Sequence, residues 1–79
     1  MKSDDLMQIL DDCCNDISFS YNGESSGVMP EVHNYKKIYH AWHGDKTRDY
    51  ISVNEVMSDK FFSGKSLNEL ADMIDIDVT

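Results

Sequence analysis

The residues of this chain best suited to chemistry are His40 and Asp49, which flank a Gly44-Asp45 reversal. If those two central residues form a hairpin loop, the imidazole and the carboxylate stand directly opposite one another. A carboxylate beside an imidazole favours the protonated ring, and such a pair can orient a base for a nucleophile. No serine or cysteine is visibly placed to complete the set. The pair is therefore expected as an ion pair at a sheet rim, and no catalytic residue is assigned.

His33, His40 and His43, together with Cys13 and Cys14, hold the atoms of a zinc site. Zinc takes four ligands about a tetrahedral point, usually from short paired spacings such as Cys-x-x-Cys. Adjacent cysteines on a helix point about 100° apart, and His40 and His43 fall on opposite faces of a strand. Core thiols and surface histidines are expected instead, with no metal and no cofactor. Neighbouring cysteines also cannot close a useful disulfide loop. Gly64-Lys65-Ser66 imitates the end of a phosphate-binding loop. That loop needs a glycine five residues before Gly64, where Asp59 stands, so Lys65-Ser66 reads as helix-capping sequence.

Charge narrows the partners. The formal net charge of −8 divides into −6 over residues 1–31, +1 over 32–60 and −3 over 61–79. Acidic ends repel nucleic acid and anionic membranes and favour basic partners. The runs Asp4-Asp5, Asp11-Asp12, Asp16 and Asp72, Asp75, Asp77 lack the ligand spacing of a calcium loop. They read as solvated helix faces. A sharper alternative has Asp4, Asp11 and Asp12 imitating duplex phosphates, in a phage-type inhibitor that occupies the basic groove of a nuclease or DNA-binding protein.

The elements that must position these groups follow from periodicity. Ser3 caps a helix over 4–15, whose apolar stripe runs Leu6, Ile9, Leu10, Cys13, Cys14, Ile17. The period then changes to two: Ile17, Phe19 and Tyr21 alternate with serines and asparagine, giving a half-buried strand. Asn22-Gly23 opens a turn that Glu24-Ser25-Ser26-Gly27 extends as a flexible loop. Val28 to Val32 supplies a possible edge strand, because Pro30 lacks a ladder donor. Tyr35–Trp42 and Thr47–Val53 form a hairpin in which His43 faces Lys46, Trp42 faces Thr47, Ala41 faces Arg48, His40 faces Asp49, Tyr39 faces Tyr50 and Ile38 faces Ile51.

This register sorts the hairpin into two faces. Ile38, Trp42, Ile51 and Val53 share one, with His40 and Asp49 among them, and hydropathy assigns that face to the helices. Lys37, Tyr39, His43, Lys46, Arg48 and Tyr50 share the other, expected in solvent. Tyrosine and arginine favour interface centres, so Lys37, Tyr39, Lys46, Arg48 and Tyr50 are the candidate binding residues. Ser52 with Glu55 and Ser66 with Glu69 read as capping boxes of two further helices. The Phe61-Phe62 pair between them should tuck one ring into the core. The tail Ile74, Ile76, Val78 adds a short strand or frays.

The stretch Trp42-His43-Gly44-Asp45-Lys46, the strand ending Tyr50-Ile51, then Val53 to Met57 and Phe61-Phe62-Ser63-Gly64-Lys65-Ser66-Leu67 resembles small acidic proteins of prophages and mobile elements in low-GC Gram-positive bacteria. The likeness covers about the last half of the chain and carries over no functional residue. It implies a cytoplasmic accessory protein that meets a host or phage partner.

The 79 residues thus make one α+β domain: a small antiparallel sheet of three or four strands packed on an N-terminal and a C-terminal helix. A core of this size is thin, about 3–5 kcal/mol of net stability. Met1 to Asp5 has no basic-then-apolar leader pattern, and no apolar run is long enough to span a membrane. The expected function is a non-enzymatic, cytoplasmic protein-interaction module. Its partner is another protein or a second copy of itself, with no direct nucleic-acid or membrane binding.

Overall fold

The computed structural model describes residues 1–13 and 15–79. Helix α1 spans Ser3–Asp11 and buries Leu6 and Leu10, with Asp4 and Asp5 at the positive end of its dipole. It is shorter than the expected 4–15, and Ser3 is its first residue rather than its cap: Lys2 holds the N-cap position, with no side-chain capping hydrogen bond. Cys13 takes the left-handed conformation at φ 55, which ends a helix much as a C-terminal glycine does. Cys13 is half-buried against the core; the matching expectation for Cys14 lies outside the described residues.

Strand β1, Ile17–Tyr21, follows the predicted alternation and inserts Ile17 and Phe19 into the core. Asn22 and Gly23 then adopt φ 55 and 77, the two positive angles of a tight hairpin turn. The chain therefore needs no flexible loop: β2 begins at once and runs Glu24–His33. Its first half is interior, paired with β1 as far as Ile17↔Val28 and with β3, Lys36–His43, along its length. Beyond Val28 only β3 flanks it. Pro30 sits in that part, where a missing donor costs nothing on the open side.

Strand β4, Lys46–Tyr50, returns through the Gly44-Asp45 turn in the anticipated register from His43↔Lys46 to Tyr39↔Tyr50, but it ends there rather than at Val53, without the expected Ile38–Ile51 pair. Helix α2, Val53–Ser58, starts where the Ser52 hydroxyl accepts from the Glu55 N–H. Helix α3, Leu67–Leu70, carries the complete capping box of Ser66 and Glu69. The tail forms β5, Asp77–Val78, on the far side of β1. The sheet thus has five strands, in the order β4-β3-β2-β1-β5, where three or four were expected. Phe62 is sealed in the core while Phe61 stays half-exposed beside it, their rings 5.0 Å apart.

The three helices pack on one face of the sheet, and it is not the face that hydropathy chose. Tyr39 and Tyr50 are 1% and 6% exposed, with Ala41 and His43 buried beside them. Ile51 is 78% exposed, and Ile38, His40 and Trp42 are only half-buried. The inversion has a physical cause. Inward residues of β1 and β2, namely Ile17, Phe19 and Val28, fix which side is core, and cross-strand pairing then sends Ala41, opposite Val28, the same way. Tyrosine bodies fill that core while their hydroxyls reach its margin.

Trp42 is accommodated outside because its partner across the ladder is Gly27. A β-carbon at Gly27 would collide with the Trp42 ring and with the Ile17 carbonyl oxygen. Gly27→Ala should therefore lower stability by about 1–3 kcal/mol or more through forced repacking. Urea denaturation followed by Trp42 fluorescence checks both the loss and the change in ring environment.

Candidate functional site

The expected binding residues lie on the helix-covered side, and the chain's own acids occupy them. Lys37 Nζ donates to the Asp11 carbonyl at 2.6 Å and to its carboxylate at 3.2 Å. Arg48 Nη1 and the Tyr50 hydroxyl both donate to Asp59 Oδ2, at 2.7 and 2.6 Å, and the guanidinium lies over the Phe61 ring. Burial, reinforced by Asp59, pushes the Tyr50 phenol up to about 12. The Tyr50 hydroxyl and then Arg48 hold the Asp59 carboxyl below its usual value. Burial, with the Cys13 thiol and the Asp11 carboxylate nearby, likewise pushes Tyr39 up to about 12. Lys46 stays exposed at the hairpin turn. The solvent-facing surface inferred from the sequence is thus corrected for Tyr39, His43 and Tyr50, which are buried beneath the helix layer, while Lys37, Lys46 and Arg48 stay exposed at its rim.

The alternative decoy residues do share one side of α1. Asp4, Asp11 and Asp12 line a groove with Met7 and Val53. Asp11 is committed to Lys37, which removes charge from any phosphate-like array. Among the described residues, no cluster of three or more metal-ligating side chains is assembled, and no helix is long and apolar enough to cross a membrane.

Among the described residues, no helix covers the opposite face of the sheet. Along β3 it carries Ile38, His40 and Trp42; β2 adds Met29 and Glu31, and Asp49 comes from β4. His40 is its charged centre. Its Nδ1 lies 2.7 Å from Asp49 Oδ1 and its Nε2 lies 3.0 Å from Glu31 Oε2. The Asp49 hydrogen bond raises the imidazole above its ordinary 6.5; burial opposes it, and the Glu31 hydrogen bond adds to the rise. With a carboxylate on each nitrogen the ring donates twice and is held as imidazolium, so it has no lone pair with which to serve as a base. The hairpin register brought His40 and Asp49 together as expected, but outside rather than on the core side. Around them Met29 is 42% exposed, and His33, Lys36, Ile38 and Ile51 border a concavity of about 610 Å3.

Met29 and Glu31 were missed by sequence reasoning because residues 28–32 were read as an edge strand. Placing that segment beside β3 puts Met29 opposite His40 and Glu31 opposite Ile38. His43 was also misplaced: it turns inward toward Ser26. No protein-family model, curated protein or solved structure matches this chain.

Because folded His40 holds its proton more tightly than the unfolded chain does, its contribution to stability is complete below 6.5 and is lost as pH rises through the raised folded value. NMR titration should place the His40 midpoint above 6.5. Stability measured by urea should fall as pH rises above 6.5 and through the raised folded midpoint, and His40→Gln should flatten that part of the profile relative to wild type.

Proposed function

We propose that this chain is a protein-interaction module working through the open face of its sheet, and that the surface it meets is the same face of a second copy. One observation carries the reading: the helix-free face displays Trp42, Ile38, Met29 and Ile51, the last 78% exposed, around the His40 imidazolium. Contiguous exposed apolar side chains on a small domain mark an interaction surface, and tryptophan is a frequent anchor there.

Charge selects the partner. The chain as a whole carries −8, yet on this face Glu31 and Asp49 are matched by protonated His40 and by Lys36. A strongly basic partner gains more from the acidic helices than from this balanced surface, whereas a second copy meets it without like-charge repulsion. Two such faces can stack as a sandwich, with apolar side chains interdigitated across about 10 Å. The dimer would offset the thin core of a chain this short. The assumed setting is the cytoplasm, in keeping with the context implied by the resemblance to mobile-element proteins.

Sedimentation equilibrium across a concentration series tests this. Wild type should dimerise, and Ile51→Glu, at a site too exposed to affect folding, should weaken association about tenfold or more. A monomer at every concentration, or an unchanged constant in the variant, overturns the reading.

A further inference from the structure

Three polar side chains from distant parts of the chain converge at the turn end of the molecule. Ser26 on β2 and His43 on β3 are direct cross-strand partners, and Ser63 sits in the turn between α2 and α3. Ser26 is 0% and His43 5% exposed, so their polar atoms must find partners inside the protein. His43 Nδ1 lies 2.5 Å from Ser26 Oγ and its Nε2 lies 2.7 Å from Ser63 Oγ. The Ser26 hydroxyl donates to the Glu24 carbonyl at 3.3 Å, and the Asn22 side-chain amide donates to Ser63 Oγ at 3.2 Å.

These contacts give the chain of hydrogen bonds a direction. A hydroxyl has one proton, and that of Ser26 goes to Glu24, so Ser26 Oγ accepts from Nδ1–H. Of the two neutral tautomers, this is the one that satisfies all four contacts. Nε2 is then left with its lone pair toward Ser63, so the Ser63 hydroxyl donates to it while its oxygen accepts from Asn22. Nucleophile, base and orienting group stand in the order that serine acyl-transfer sites use, with a serine in the third place.

The surroundings fit that use. Phe62 packs edge-on to the imidazole at 5.7 Å and Phe61 at 6.5 Å, which fixes the plane of the ring. Ser63 is exposed and held at φ 52, a left-handed conformation that a non-glycine residue adopts at some cost and that recurs at functional turns. A cleft of about 240 Å3 opens beside it, lined by Asn22, Glu24, His43, Asp45, Lys46 and Ser63. Asn22 and Lys46 bring donors for a developing oxyanion. The carboxylates of Glu24 and Asp45 disfavour anionic substrates.

We propose that Ser63 is a nucleophile activated by His43 and positioned through Ser26, and that the cleft accepts a short, neutral or cationic activated acyl group such as an ester or thioester. Ser63 Oγ bonds to the carbonyl carbon as its proton passes to His43 Nε2, and the carbonyl π electrons move onto oxygen. Collapse of the tetrahedral adduct breaks the bond to the alkoxide or thiolate, which leaves with the proton from Nε2. Water repeats the sequence on the acyl-serine, so the net change is ester plus water to acid plus alcohol. The expectation of no enzyme rested on His40 lacking a serine; the serines lie beside the other hairpin histidine. This site does not depend on the docking face.

The test uses a fluorophosphonate probe and p-nitrophenyl acetate on the full chain. Folded wild type should take one phosphonyl adduct, mapped by peptide mass to Ser63. Ser63→Gly suits the positive φ, keeps the fold and should give no adduct and background hydrolysis. Ser26→Ala retains nucleophile and base but releases the ring, and should slow acylation about 10- to 100-fold. Absence of an adduct on folded wild type, equal labelling after unfolding in urea, or undiminished labelling of Ser63→Gly each overturns the proposal.

Discussion

The pairing of β2 with β3, which sets Ala41 opposite the inward Val28 and so seals Tyr39 and Tyr50 beneath the helices, is the constraint from which the rest of the structure follows. A strand has a side-chain period of two, so one inward residue settles all its neighbours. With Ala41 inward, Tyr39 and His43 must follow, and Ile38, His40 and Trp42 must face out. Ala41 is small enough to let the helix layer settle over the middle of β3, and the tyrosine hydroxyls find Asp59 and Cys13 at the margin. Outside, the Trp42 ring lies across Gly27, where a β-carbon would collide with it. Reversing the strand would bury an indole against helices and strand two phenols in water.

The uneven charge of the sequence is resolved within the fold. Cations from the central hairpin meet acids from the helical layer: Lys37 with Asp11, and Arg48 with Asp59. Lys60 and Lys65 close on Glu69, whose carboxyl is held down to about 2 by Lys60 and then by the Ser66 amide. Exposed pairs of this kind contribute little each to stability, because water and salt screen them. Their effect is orientation, since they seat α1 and the segment after α2 over the rim of the hairpin. An acidic end that sequence reasoning would offer to a foreign basic partner is in part already engaged.

Two regions are left with chemistry to spare, for different reasons. The open face exists because three short helices suffice to cover one side of a five-stranded sheet and no element remains for the other. The serine–histidine cleft exists because three tight reversals, at Asn22-Gly23, Gly44-Asp45 and Ser63-Gly64, gather at one end, with Asn22 bonded to Ser63 across 41 residues of sequence. Turns carry polar side chains that the strands hold in fixed register, which is how a small rigid scaffold brings distant residues within hydrogen-bonding reach.

The local signals in the sequence were enough for much of this. The two-residue turn at 44–45 and its five-pair register, the caps at Ser52 and Ser66 and the single buried phenylalanine at 62 all rest on interactions within a few residues or across one turn. The identity of the inward face could not be read in the same way. Ile38, Trp42 and Ile51 outweigh Tyr39, Ala41 and Tyr50 on any hydropathy scale, and that ranking takes no account of β1 and β2 or of hydroxyls satisfied at the core margin. The length of β2 and the meeting of Ser26, His43 and Ser63 were likewise decided by tertiary structure, because each depends on partners distant in the chain that only the closed sheet and its helix layer bring into contact.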